Sequence, residues 1–273
     1  MMALIILSNF GIKSALNSFY FKPYNISFEN SSTFLLADSH GYALGNFPGN
    51  TVANLSMNSD SYLDMKRKVE YLIEKTKCEK IILSVDNHTL SPYRDRSNNL
   101  DRSLLFKPRE SYNNWLDYFW NRYIRYNLVI LNPKQGNLLK QYIKSKIKPG
   151  NLQQINWSFL SKREKENIAY KRFEQQFNYS SRSLRLEEAL KTIIHLCEIN
   201  NIELIGVKFP LSPVYEKLVR SKNFKADSIF LSKGIKVMEL SHLFKNEKFF
   251  KDPDHLNSDG SRVFKQVLLN STK

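Results

Sequence analysis

The chain has 273 residues, 42% hydrophobic and 13% aromatic, enough to bury a sizeable core as one large domain or two small ones. A formal net charge of +15 favours an acidic partner such as nucleic acid, an anionic glycan or a membrane surface, unless it reflects a lysine-rich composition that merely keeps the protein soluble. Two cysteines without metal-ligand spacing, Cys78 and Cys197, read as buried free thiols, and neither a metal nor a cofactor is expected.

The N-terminal run Met1–Leu7 is apolar but far shorter than the roughly 20 residues of a spanning helix, and it lacks the charged start and cleavage pattern of a signal peptide. As written the chain reads as soluble and, by default, cytoplasmic. A cell-envelope location is the alternative if the run is the stump of a longer anchor.

The chain is organised around Thr33–Asn46, TFLLADSHGYALGN, an apolar run that empties into Asp38-Ser39-His40-Gly41 and then into a helix. A short continuous apolar run reads as a buried parallel strand, and ligands of open α/β sheets bind beyond the strands' carboxyl ends. Ser39 would stand there, at the N–H groups of the following helix. Asp-Ser is also a common turn dipeptide, and a helix N-cap is the ordinary role for such a serine.

Thr51–Leu55 reads as a second strand, emptying into the small polar residues Ser56–Ser61. Asp64–Lys77 carries Met65, Val69, Leu72 and Ile73 on a helical stripe, and Lys80–Val85 reads as a central strand ending at Asp86-Asn87-His88. The pattern changes over 91–183. A polar loop expected over Ser91–Arg109 precedes an aromatic helix over Ser111–Tyr126 and two further helices, Gln135–Lys148 and Ser161–Phe177. Between Arg94 and Arg172 lies most of the net positive charge. Basic residues interleaved with aromatics suit nucleic-acid strands or sugars, or are the solvated faces of amphipathic helices.

Alternation then returns: a helix over Leu184–Ile199, a strand over Ile202–Phe209, a helix near Pro213–Ser221, a strand over Ile235–Leu240 and a last helix over Ser261–Leu269. Strands alternating with helices predict an α/β fold, a doubly wound and mostly parallel sheet flanked by helices. We expect a single domain over 1–273, with 91–183 a basic helical insertion within it. Asp252-Pro253-Asp254-His255 matches the orienting half of a serine triad, in which the aspartate accepts from Nδ1–H and leaves Nε2 as base.

Four clusters in this order, Thr33–Asn46, Asn54–Ser61, Ile81–His88 and Asp252–Gly260, resemble the four signature blocks of the SGNH (GDSL-like) hydrolase family. The resemblance implies Ser39 as nucleophile, His255 as base and Asp252 as its partner. It places the oxyanion hole on the N–H groups of Ser39 and Ser59 and the side-chain amide of Asn87. Ser59 stands where the family has glycine, and a side chain makes the required turn harder. His40 and His88 would flank the site as substrate contacts, and Asp254 would point away from the imidazole. Arg122, Arg125 and Lys144 of the insertion would wall the crevice against an anionic substrate.

The implied activity is ester hydrolysis or O-acyl transfer on acyl, first of all acetyl, esters of a bacterial glycan, in association with membrane-bound polysaccharide machinery. Two other classes compete with it. One is a catalytically inactive glycan-binding or assembly protein on the same fold. The other is a nucleic-acid-binding protein, which no recognisable motif supports.

Overall fold

The structure, a computed structural model, describes residues 2–25, 31–50, 52–125, 128, 133–147 and 157–272. Thr51, Tyr126 and Lys148, at the ends of expected elements, lie outside the described residues. In chain order the elements begin with α1 (Met2–Leu16), β1 (Thr33–Leu36), α2 (Ser39–Tyr42), β2 (Ala53–Asn54), α3 (Tyr62–Lys75) and β3 (Lys80–Ser84). There follow α4 (Pro92–Arg96), α5 (Trp115–Phe119), α6 (Pro133–Ile147), α7 (Lys162–Phe177) and α8 (Leu184–Ile199). The chain closes with β4 (Glu203–Lys208), α9 (Pro213–Val219), α10 (Ala226–Ser232), β5 (Val237–Glu239) and α11 (Ser258–Ser271).

These elements form two compact units, Phe28–Asn99 with Ile155–Lys273 and Met1–Ser27 with Leu100–Gln154. The first is an α/β unit built on five parallel strands in the order β2-β1-β3-β4-β5. Residues alternate across β1, and both sets are buried, as a sheet covered on two faces requires. Leu35 and Ala37 share a core cluster with Ile82, Ile205 and Val207 of the neighbouring strands and with Phe264 and Leu268 of α11. Phe34 and Leu36, on the alternate positions, are equally buried. Helices α3 and α8 pack on each other, with Val69, Leu72, Leu186, Leu190 and Ile193 at helical spacing all removed from solvent.

The order places β2 and β3 on opposite sides of β1, so the chain direction across the sheet reverses there, and the crevice beyond the end of β1 is the switch point. Strand β2 is shorter than expected because Asn54 anchors a turn: its Nδ2 donates to the carbonyls of Gly41 at 2.8 Å and Gly45 at 2.9 Å.

The second unit is helical. α1 packs on α6, and Leu16, Tyr20, Tyr24, Leu104, Phe106 and Tyr112 are buried in it. The Arg102 guanidinium lies over the rings of Tyr20 at 4.3 Å and Tyr24 at 4.7 Å. The apolar N-terminal run is thus the start of a helix; among the described residues no helix is long and apolar enough to cross a membrane. The aromatic helix expected over 111–126 is divided: Asn114 caps α5 by accepting from Asp117 N–H at 2.9 Å, and Trp120–Arg125 continues as π-helix.

The boundaries expected for the insertion, 91 and 183, differ from those of the helical unit. Its outer parts, 91–99 and 155–183, belong to the sheet unit. The cause is packing: Ser91, which caps α4, donates to the Gln176 carbonyl at 2.6 Å, and α7 packs on α9. Only 100–154 joins the helical unit, together with the N-terminal 27 residues.

Candidate active site

Three buried residues of β1, Phe34, Leu35 and Leu36, deliver the chain to Asp38, whose Oδ1 accepts from His40 N–H at 3.0 Å and so caps α2. Ser39 is the first residue of that helix. Gly41 is needed one turn on, since a Cβ there would run into the Ser56 side chain and Ala37. The opposite wall is the turn before α11. Asp252 Oδ1 accepts from the N–H groups of Asp254 at 3.1 Å and His255 at 2.9 Å, so the carboxylate shapes its own loop. Asn257 closes the turn by capping α11 and donating to the Lys248 carbonyl at 2.6 Å. Gly260 allows the Phe249 carbonyl to sit against the helix, where a Cβ would collide with it.

These two segments bring Ser39, His255 and Asp252 into one hydrogen-bonded chain. His255 Nε2 is 2.7 Å from Ser39 Oγ, and Nδ1 is 2.8 and 3.0 Å from the two oxygens of Asp252. With Nδ1–H donating to the carboxylate, Nε2 is the lone-pair nitrogen facing the hydroxyl, which is the tautomer a general base requires. An open pocket of about 710 Å³ contains Ser39, Ser59, Arg94, Arg172, Asp252 and His255 in its lining.

Ser59 lies at the expected wall with φ 70°, in the left-handed region where glycine is ordinarily found. Buried groups hold the loop in that shape. Asp60 takes Lys68 Nζ at 2.5 Å and Asn99 Nδ2 at 2.7 Å, Asn99 also donates to the Asn58 carbonyl at 2.8 Å, and Arg94 donates to the Asp60 carbonyl. Among the described residues the N–H groups of Ser39 and Ser59 have no acceptor.

Asn87 is not brought to this pocket. Its Nδ2 donates to the carbonyls of Val219 and Lys222, both at 3.3 Å, and it lines a different cavity of about 270 Å³ together with Asp86, His88 and Lys208. Arg94, seven residues further along and on α4, lines the Ser39 pocket instead, pinned by the Asp60 carbonyl and 3.4 Å from Asp38.

His40 and His88 are also displaced from the expected substrate contacts. Both are buried beneath the site, where the Asp-x-His pairs of β1 and β3 cross: His40 Nδ1 is 3.0 Å from Asp86 and His88 Nε2 is 3.1 Å from Asp38. Burial works against protonation of His40, but the charges and hydrogen bonds of Asp38, Asp254 and Asp86 outweigh it and raise its pKa well above the usual histidine value. His88 is the reverse case: burial dominates and lowers its pKa, leaving a neutral ring.

Asp254, expected to point away, instead faces the imidazole. Its Oδ1 is 3.3 Å from His255 Nδ1, and its Oδ2 takes Arg172 Nε at 2.7 Å and Gln176 Nε2 at 3.0 Å, with His40 Nε2 at 3.6 Å. Burial would raise its pKa, but the surrounding positive charge of His255 and Arg172 prevails and holds it well below the ordinary carboxylate range. For His255 burial again lowers the pKa, and Asp254 together with the Asp252 hydrogen bond reverses the shift, so its pKa lies above the ordinary histidine value.

Carboxylate and imidazole atoms of Asp38, His40 and His88, and of His40, Asp254 and His255, lie within 4.8 Å of one another, close enough to hold a cation. The imidazole–carboxylate pairs described above account for both groups. Arg122, Arg125 and Lys144 belong to the helical unit; Arg122 Nη1 donates to the Leu104 carbonyl at 2.8 Å, and the other two are exposed. Arg94, Arg172 and Asp254 were missed as site residues. A signal for Arg94 was present in Ser91-Pro92, a helix start that puts an arginine just past the end of β3. No protein-family model matches the chain, and no curated protein matches it.

Proposed function

We propose that the chain is a serine-dependent ester hydrolase or O-acyltransferase of SGNH-hydrolase type, acting on acyl esters of a glycan, with acetyl the first acyl group to test. The observation that carries the reading is the 2.7 Å contact of Ser39 Oγ with His255 Nε2, on a ring whose other nitrogen is held by Asp252.

In this reading His255 Nε2 takes the Ser39 proton as Oγ attacks the ester carbonyl, and Asp252 and Asp254 stabilise the imidazolium that forms. The tetrahedral oxyanion meets the N–H groups of Ser39 and Ser59 and the fixed guanidinium of Arg94. Collapse breaks the ester C–O bond, and His255 returns the proton to the leaving alkoxide. Water, or a glycan hydroxyl, then attacks the acyl-serine with His255 again as base. The pocket's cations, Arg94, Arg172 and Lys251, favour an acyl-bearing chain that is itself anionic.

A fluorophosphonate probe tests the reading. It should label Ser39, and labelling should vanish in His255→Ala. Each of Ser39→Ala and His255→Ala should cost on the order of 10³-fold or more in turnover of an aryl acetate, and the double variant little more, because the two groups act as a unit. An adduct mapped to another residue removes Ser39 as the nucleophile, and a folded protein that takes none returns the chain to the class of catalytically silent glycan binders.

A further inference from the structure

We propose that the helical unit carries a docking face for an anionic lipid bilayer. Along Trp115–Arg125 the rings of Trp115 and Phe119 stack at 5.3 Å, and Phe119 meets Tyr123 at 5.4 Å. All three are exposed, as is Trp120, and Leu116 between them is 70% exposed. Tyr123 continues the tract into an open groove of about 550 Å³ that it lines with Phe10, Leu105, Lys13 and Arg122, where Phe10 is 69% exposed. A contiguous apolar surface of this kind is uncommon on a soluble monomer and marks an interaction site.

The charge of the unit selects the partner. Residues 1–27 and 100–154 hold twelve Lys and Arg against Asp101, Glu110 and Asp117. Tryptophan and tyrosine settle at the headgroup level of a bilayer, aliphatic and phenyl groups reach the acyl boundary, and cations are drawn to anionic headgroups. A nucleic-acid strand uses the cations and free ring faces. It has no use for Leu116, Leu105 or Phe10, and Trp115 and Phe119 each have one face covered by the other.

The test is co-sedimentation of the full chain with vesicles of phosphatidylcholine, with and without phosphatidylglycerol, beside a single-stranded oligonucleotide of mixed sequence. Binding should require phosphatidylglycerol and weaken with salt. The triple variant Trp115→Ser, Leu116→Ser, Trp120→Ser should weaken it by at least about tenfold, since three exposed apolar side chains lose their burial. Arg125→Glu with Lys140→Glu and Lys144→Glu should weaken it on the order of a hundredfold. Phe159→Ser, which removes an 86% exposed ring from the sheet unit, should leave binding unchanged. The proposal is overturned if the chain does not sediment with anionic vesicles, if the aromatic variant binds them as well as the parent, or if the oligonucleotide binds more tightly and is lost only with the cations. Ser39 labelling is measured on the same preparations, so failure of this surface and failure of the esterase reading are separate results.

Discussion

Asn87→Ala removes a side-chain amide that donates two hydrogen bonds, each 3.3 Å long, to the carbonyls of Val219 and Lys222. Bonds of that length in a half-exposed position contribute at the low end of the usual range, about 0.5–1 kcal/mol each, so the variant should lose about 1–2 kcal/mol of stability. In a chain of this size that lowers the unfolding midpoint by a few degrees. The backbone carbonyl of Asn87, which accepts from Phe224 N–H at 3.0 Å, is untouched, so the loop should stay in place. Turnover of an aryl acetate should change by less than about threefold, whereas loss of an oxyanion donor costs about 10²–10³ in kcat. The two outcomes lie about two decades apart, and steady-state kinetics beside a thermal melt decides between them. A hundredfold fall in kcat with an unshifted melting midpoint would refute the assignment of this amide to the α9 carbonyls.

Arg94→Lys keeps the charge beside Asp38 but loses the planar fork, and kcat should fall about 10- to 100-fold with KM nearly unchanged if the guanidinium meets the oxyanion. Ser59→Gly retains the N–H donor and relieves a left-handed serine, so kcat should stay within about twofold, and stability should change by less than about 1 kcal/mol because the freer unfolded chain offsets the relief. In the proposed mechanism the neutral form of His255 acts as base, and its pKa is raised, so the acid limb of the kcat/KM profile should lie above the ordinary histidine value of about 6.5. Asp254→Asn should move that limb to lower pH, since it removes the nearby negative charge and leaves Arg172 and His40 uncompensated, both effects having the same sign. Stability follows the same network. The depressed Asp38 and Asp254 contribute above the unfolded carboxylate pKa of about 3.9 and lose that contribution as pH falls through their folded values. His40, with a raised pKa, contributes fully below about 6.5 and loses its contribution as pH rises through the folded value. The raised His255 adds to the same alkaline decline and the lowered His88 opposes it, so His40→Gln should flatten the fall in melting midpoint above about pH 6.5 only in part.

The sheet was readable from its composition because both of its faces are buried. Runs such as Thr33–Leu36 and Lys80–Ser84 must then be apolar on successive residues, and each stops where the chain leaves the sheet and meets polar groups. Ser39, Asp252 and His255 were readable for a related reason, since each sits in a short turn whose geometry is set by residues one to three positions away. Asn87 shares that strand-end position but not that local control. Its amide is claimed by the carbonyls of Val219, the last residue of α9, and of Lys222 beyond it, some 130 residues further along the chain. The histidines carry a signal that was visible and not used. Asp38-x-His40 and Asp86-x-His88 repeat one pattern at the ends of adjacent strands, and parallel pairing of Leu36 with Leu83 puts each histidine within reach of the other pair's aspartate.

Asp254 shows why the remaining part of the site lies beyond local reading. A carboxylate this deeply buried would cost several kcal/mol if left unpaired, so its position demands compensating donors. Those donors are Arg172 and Gln176 on α7, at sequence separations of 82 and 78 residues, with the charge of His40 on α2 3.6 Å away. In the sequence Arg172 belongs to a lysine- and arginine-rich helix whose charges read as a solvated face, and the adjacent proline in Asp252-Pro253-Asp254 makes either aspartate an equally good turn residue. Folding separates the two. Asp252 stays at the surface and is shaped by its own turn, while Asp254 is carried inward against His255 and held by Arg172. The raised pKa of His255 therefore rests in part on a residue that is held in place only once α7 has packed beside the loop.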